Sequence, residues 1–94
     1  MVPSDKLDQI ISRFQFVEAK LSSGISGAEI AELSREYAEL KDVVDTIETY
    51  RACVANMDTA RQMLKDPEMR ELAEEELPAL EDALEASEHR VRLA

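Results

Sequence analysis

A chain of 94 residues has room for one domain or part of one, and its composition, with two glycines, three prolines and 34% charged side chains, points to an all-α fold. A formal net charge of -10 opposes sequence-independent binding to phosphate backbones and anionic membranes, so independent nucleic-acid binding and membrane association are not expected and a basic partner surface is favoured. The single cysteine, Cys53, excludes an intramolecular disulfide, the apolar runs are far too short to span a bilayer and nothing reads as a secretory signal, so the expected compartment is cytoplasmic.

Pro3, Ser4 and Asp5 offer a capping serine or aspartate before Leu7, Ile10, Ile11, Phe14, Val17 and Leu21, which recur three or four apart. This predicts a first helix of about 18 residues, ended by the glycines and serines of 22–27. Ser26 and Glu29 have the spacing of a capping box. A second helix over 27–65 follows, its apolar positions Ile30, Leu33, Tyr37, Leu40, Val44, Ile47, Tyr50, Val54, Met57 and Leu64 forming a coiled-coil-like seam that falters near Ala60 and Arg61. Asp66 and Pro67 read as a cap and a proline at the first helical position, with Glu68 and Glu71 at the positive end of the dipole. The third helix turns Met69, Leu72, Ala73, Leu77, Leu80, Leu84 and Val91 to one side, and Pro78 is expected to kink it or split it.

At the rise of an α-helix these segments span roughly 27, 57 and 39 Å, so the first cannot cover the second. The expectation is an antiparallel three-helix arm with a long central helix and a protruding coiled-coil-like hairpin over about 54–73, further protein being possible beyond Ala94.

Two stretches are more specific than generic helix. Leu33-Ser34-Arg35-Glu36-Tyr37-Ala38-Glu39-Leu40, and the run from Ala60 through Asp66-Pro67-Glu68-Met69-Arg70-Glu71-Leu72 to Leu77, resemble the amino-terminal helical domain of bacterial class I peptide chain release factor 1. The resemblance covers the whole of 1–94 and implies a helical arm that reaches toward the stalk base of the large ribosomal subunit, near the GTPase centre, with the ribosome as partner of the full factor. The family's stop-codon-reading tripeptide has the form Pro-x-Thr, whereas Pro3, Pro67 and Pro78 are followed two residues later by Asp5, Met69 and Leu80. The Gly-Gly-Gln motif is missing as well, since Gly24 and Gly27 are not adjacent. The resemblance therefore implies a domain without the decoding and hydrolytic parts, not an enzyme by itself.

Two surfaces are candidates for partner binding. Glu29, Glu32, Glu36 and Glu39 run beside the seam at helical spacing, an ordinary solvated face supported by Arg35 and Lys41 or else a docking face for a basic protein. Arg61, Lys65, Asp66, Glu68 and Arg70 cluster around the second turn, where a capped turn alone accounts for Asp66 and Pro67 and a ribosomal contact is the functional reading. Glu85 and His89 make a pair and not a metal site, Cys53 has no suitable base, and no cofactor is expected. Phe14 reads as core, and Phe16 points away from the apolar stripe. The alternative reading is a stand-alone coiled-coil protein that self-associates, because Val54, Met57, Leu64, Met69 and Leu72 cannot all be buried by a two-helix hairpin.

Overall fold

A computed structural model of the chain describes residues 2–24 and 26–93. Ile25 in the expected first turn and Ala94 lie outside the described residues. The described residues form three α-helices, α1 (Ser4–Ser22), α2 (Ala28–Met63) and α3 (Arg70–Leu93), with no strand among them. The all-α expectation and its three elements therefore stand. The chain divides into two compact units, Met1–Ile47 and Glu48–Ala94, with α2 contributing to both.

In the first unit α1 packs against the first part of α2. Leu7 and Val17 are buried from α1, and Leu33, Val44 and Ile47 from α2, at the spacing that puts them on one helical face. Phe14 stacks on Tyr37 with ring centroids 5.0 Å apart and an interplanar angle of 22°, an offset-stacked contact between the two helices. Phe16 stays 48% exposed, with Arg13 and Lys20 lying over its ring. Ile30, expected in the seam, is 39% exposed in the opening turn of α2.

In the second unit the rest of α2 pairs with α3. Tyr50, Met57 and Ala60 are buried from α2, and Ala73, Ser87 and Val91 from α3. Ala60, where the apolar pattern falters, is 2% exposed, so the seam continues there through a small side chain. On α3 the core-facing positions 73, 77, 80, 84, 87 and 91 alternate by four and three, a heptad track that fills its 87 position with serine. The Ser87 hydroxyl donates to the Leu84 carbonyl at 2.9 Å, which satisfies it inside the core. Met69 and Leu72 remain exposed, and Val54 and Leu64 are half-buried.

Three local expectations need correction. No side-chain cap bond starts α1, because Pro3 precedes the helix and Ser4 and Asp5 already lie within it. A capping box at Ser26 needs Gly27 as the first helical residue, but Gly27 has a φ of 76°, which belongs to no α-helix; α2 accordingly starts at Ala28. Pro78 does not split α3, which runs unbroken from Arg70 to Leu93. Proline withholds one N–H from the carbonyl of Glu74, and both residues are exposed, so water can serve the group.

The turn between α2 and α3 behaves as its sequence suggests. Asp66 Oδ1 accepts from the Glu68 amide at 3.0 Å, and the Asp66 carbonyl accepts from the Arg70 amide at 2.9 Å. These are the two bonds of an N-cap residue, with Pro67 first in the turn where it has no donor to lose. Regular helix is assigned from Arg70, after this opening turn.

Candidate partner-binding surfaces

The first candidate surface lies on α2 in the Met1–Ile47 unit. Helical spacing carries Glu29, Glu32, Glu36 and Glu39 along one side, and Glu32 and Glu39 are exposed as expected. Glu36 behaves differently. Arg13 reaches it from α1 with two charge-assisted hydrogen bonds, Nε to Oε2 at 2.6 Å and Nη2 to Oε1 at 2.8 Å. The side-on bidentate contact holds the Glu36 carboxyl below the ordinary carboxylate range, chiefly through the hydrogen bonds and secondarily through the positive charge of Arg13. Glu36 is thus a clasp between helices, and the outward acidic charges of the stripe are those of its neighbours. Farther along, Lys41 pairs with Asp45 at 3.8 Å one turn away.

The second candidate surface lies in the Glu48–Ala94 unit. Lys65, Asp66 and Glu68 are exposed in the turn, and Arg70 follows as the first residue of α3. Arg70 Nε donates to Glu74 Oε1 at 3.1 Å, and Asp66 is the cap described above. Arg61 does not join this group alone. It lines a groove of about 710 Å³ together with Glu81, Glu85, Glu88, His89 and Arg92 of α3. Arg92 is paired to Glu88 one turn before it. Local spacing carries no sign of this company for Arg61, because its neighbours arrive only when α3 folds back along α2.

Cys53 also faces α3. It is half-buried, its thiol 3.8 Å from the Ala83 carbonyl oxygen. His89 and Glu85 both line the groove of Arg61, yet no group of three or more His, Cys, Asp or Glu side chains among the described residues has a geometry that could hold a metal ion. No helix is long and apolar enough to cross a membrane, within the described residues. Both surfaces carry exposed charges, and among the described residues the grooves lie on the Glu48–Ala94 unit.

Comparison with known proteins gives a consistent result. The PCRF domain family matches residues 10–94. Peptide chain release factor 1 of Ruegeria pomeroyi is 49% identical over 94 residues, which is 100% of this chain and 27% of the relative. The protein of the same name from Dinoroseobacter shibae is 51% identical with the same coverage, and that of Jannaschia sp. is 52% identical over 99% of this chain and 26% of its own length. The chain thus spans about a quarter of the length of the curated relatives it matches. No solved structure matches it.

Proposed function

We propose that this chain, which belongs to the PCRF domain family, serves translation termination as a non-catalytic, ribosome-contacting arm of a peptide chain release factor. The observation that carries the reading is the similarity to proteins named peptide chain release factor 1, which runs through all 94 residues at about half identity. In this reading 1–94 is the amino-terminal helical domain of such a factor, working in the cytoplasm and positioning the factor near the stalk base and GTPase centre of the large subunit. Peptidyl-tRNA hydrolysis belongs to a part of the factor that this sequence does not contain, since it has no Gly-Gly-Gln.

The physical support is the arrangement of charge. Glu32 and Glu39 are exposed on α2, and Lys65, Asp66 and Glu68 on the α2–α3 turn. Exposed charges of this kind steer association more than they add to affinity, which suits a factor that must bind and leave. Glu36 is engaged by Arg13 between α1 and α2, and Arg70 pairs with Glu74 one turn farther along α3.

The test is co-sedimentation of the 94-residue chain with ribosomes at low and moderate salt. Glu32→Lys with Glu39→Lys, and separately Lys65→Glu, leave the Arg13–Glu36 clasp and the Asp66 cap intact. Binding that falls by about tenfold in either variant, with helicity unchanged, fits the reading. Absence of binding by the parent chain at low salt contradicts it.

A further inference from the structure

Two contiguous grooves of about 410 and 400 Å³ lie on the α2–α3 hairpin of the Glu48–Ala94 unit and share Thr59 and Met63. Their apolar floor is Ala60 and Met63 from α2 with Ala79 and Leu80 from α3. Their charged lining residues are Asp58, Asp66 and Glu76, and no Lys, Arg or His lines either groove among the described residues. Helical spacing extends the floor toward the turn, because Leu72 lies one turn before Glu76 on α3 and is 44% exposed, and Met69 beside it is 37% exposed. The groove lined by Arg61 and Arg92 differs in carrying cations, since there two arginines stand among four carboxylates and offset half of their charge.

Two helices packed side by side leave a valley whose width suits a third helix, and alanines on the floor let its backbone approach closely. The chemistry of floor and rim then selects the occupant. We propose that this valley docks an amphipathic helix of a partner protein, with small or aliphatic residues at three- and four-residue spacing on the floor and Lys or Arg beside them facing Asp58, Asp66 and Glu76. A second copy of this chain is a poor occupant. Each copy carries a net charge of -10, and an isologous pairing sets these carboxylates against their own equivalents. An RNA strand is disfavoured by the same charges. The inference stands whether or not the chain acts at the ribosome.

A designed helical peptide of about 18 residues, with leucine and alanine on one face and lysine flanking it, is the probe. A matched peptide with glutamate in place of lysine is its control. Calorimetric titration into the 94-residue chain should show the lysine peptide binding at least about tenfold tighter than the glutamate peptide. Ala79→Lys places a bulky cation on the floor and should weaken the lysine peptide about tenfold. Ala86→Lys makes the same charge change at an exposed residue that lines the other groove, and should leave binding within about twofold. Circular dichroism of each variant verifies the fold. No binding of the lysine peptide, equal weakening by both variants, or a dimer of the chain that excludes the peptide overturns the proposal.

Discussion

Arg13 of α1 and Glu36 of α2 meet through two parallel hydrogen bonds of 2.6 and 2.8 Å, directly beside the stack of Phe14 on Tyr37. One residue pair in each helix therefore sets both an apolar and an ionic contact, and the two fix the rotation of α1 against α2. An acidic residue that reads as part of a docking stripe is, in the folded chain, a fastening between helices.

The pH dependence of this clasp follows from the depressed Glu36 carboxyl. A carboxylate whose folded pKa lies below its unfolded value stabilises the fold above the unfolded pKa, near 4, and that stability is lost as pH falls through the folded value. Glu36→Gln should therefore lower the thermal midpoint at pH 7 and leave it nearly level with the parent at acidic pH. A midpoint difference that stays constant from pH 7 to about pH 2.5 would show that the carboxylate charge is immaterial.

Ile47 is 1% exposed, and Ile30, in the opening turn of the same helix, is 39% exposed. Ile47→Ala should destabilise the chain by about 2–5 kcal/mol in urea unfolding, through lost transfer energy plus the cavity left behind. Ile30→Ala should cost well under about 1 kcal/mol. Equal costs at the two positions would mean that the seam reaches farther toward Gly27 than the burial indicates.

Ser87 occupies a heptad position with almost no exposure, and its hydroxyl is spent on the carbonyl one turn back. Ser87→Ala removes a bond that is local to the helix and raises helix propensity, so the change should be neutral or stabilising by about 0.5 kcal/mol. Ser87→Leu should destabilise by about 1–3 kcal/mol, since a larger side chain must displace its neighbours. Stabilisation by leucine in chemical denaturation would show that the site is loosely packed.

Pro78 sits exposed within α3 and packs into no core. Pro78→Ala restores a donor to the Glu74 carbonyl and should stabilise by about 1–3 kcal/mol. At the turn, Asp66→Ala should cost about 1 kcal/mol by removing the acceptor of the Glu68 amide, and Asp66→Asn should restore most of it. Differential scanning calorimetry reads both; a destabilising Pro78→Ala would mean that proline's restriction of the unfolded chain outweighs the missing backbone bond.

The three helices and both turns were legible because apolar residues recur at helical spacing and the breaks carry glycine, serine or Asp-Pro. The core was less so. Ser87 and Ala60 hide in a pattern of large apolar residues, since a position that faces a close helix needs a small side chain more than an apolar one. Arg13 and Glu36 are 23 residues apart, and nothing in their local sequence joins them until α1 and α2 fold together. The Ser26 cap misled because spacing alone does not reveal the left-handed Gly27 that delays the helix. The exposure of Glu32, Glu39, Lys65, Asp66 and Glu68 was legible from the sequence and that of Glu36 was not, whereas the grooves on α2 and α3 arise from register between helices and have no local signature.

Competition on terminating ribosomes tests most sharply whether the chain is a ribosome-contacting arm. Ribosomes halted at a stop codon with labelled peptidyl-tRNA are mixed with a full-length release factor 1, and peptide release is followed as the 94-residue chain is added in excess. The chain should release no peptide alone and should slow release by the full factor in a salt-dependent manner. Release unaffected by a large excess of folded chain at low salt, or peptide released by the chain itself, would contradict a non-catalytic arm that contacts the ribosome.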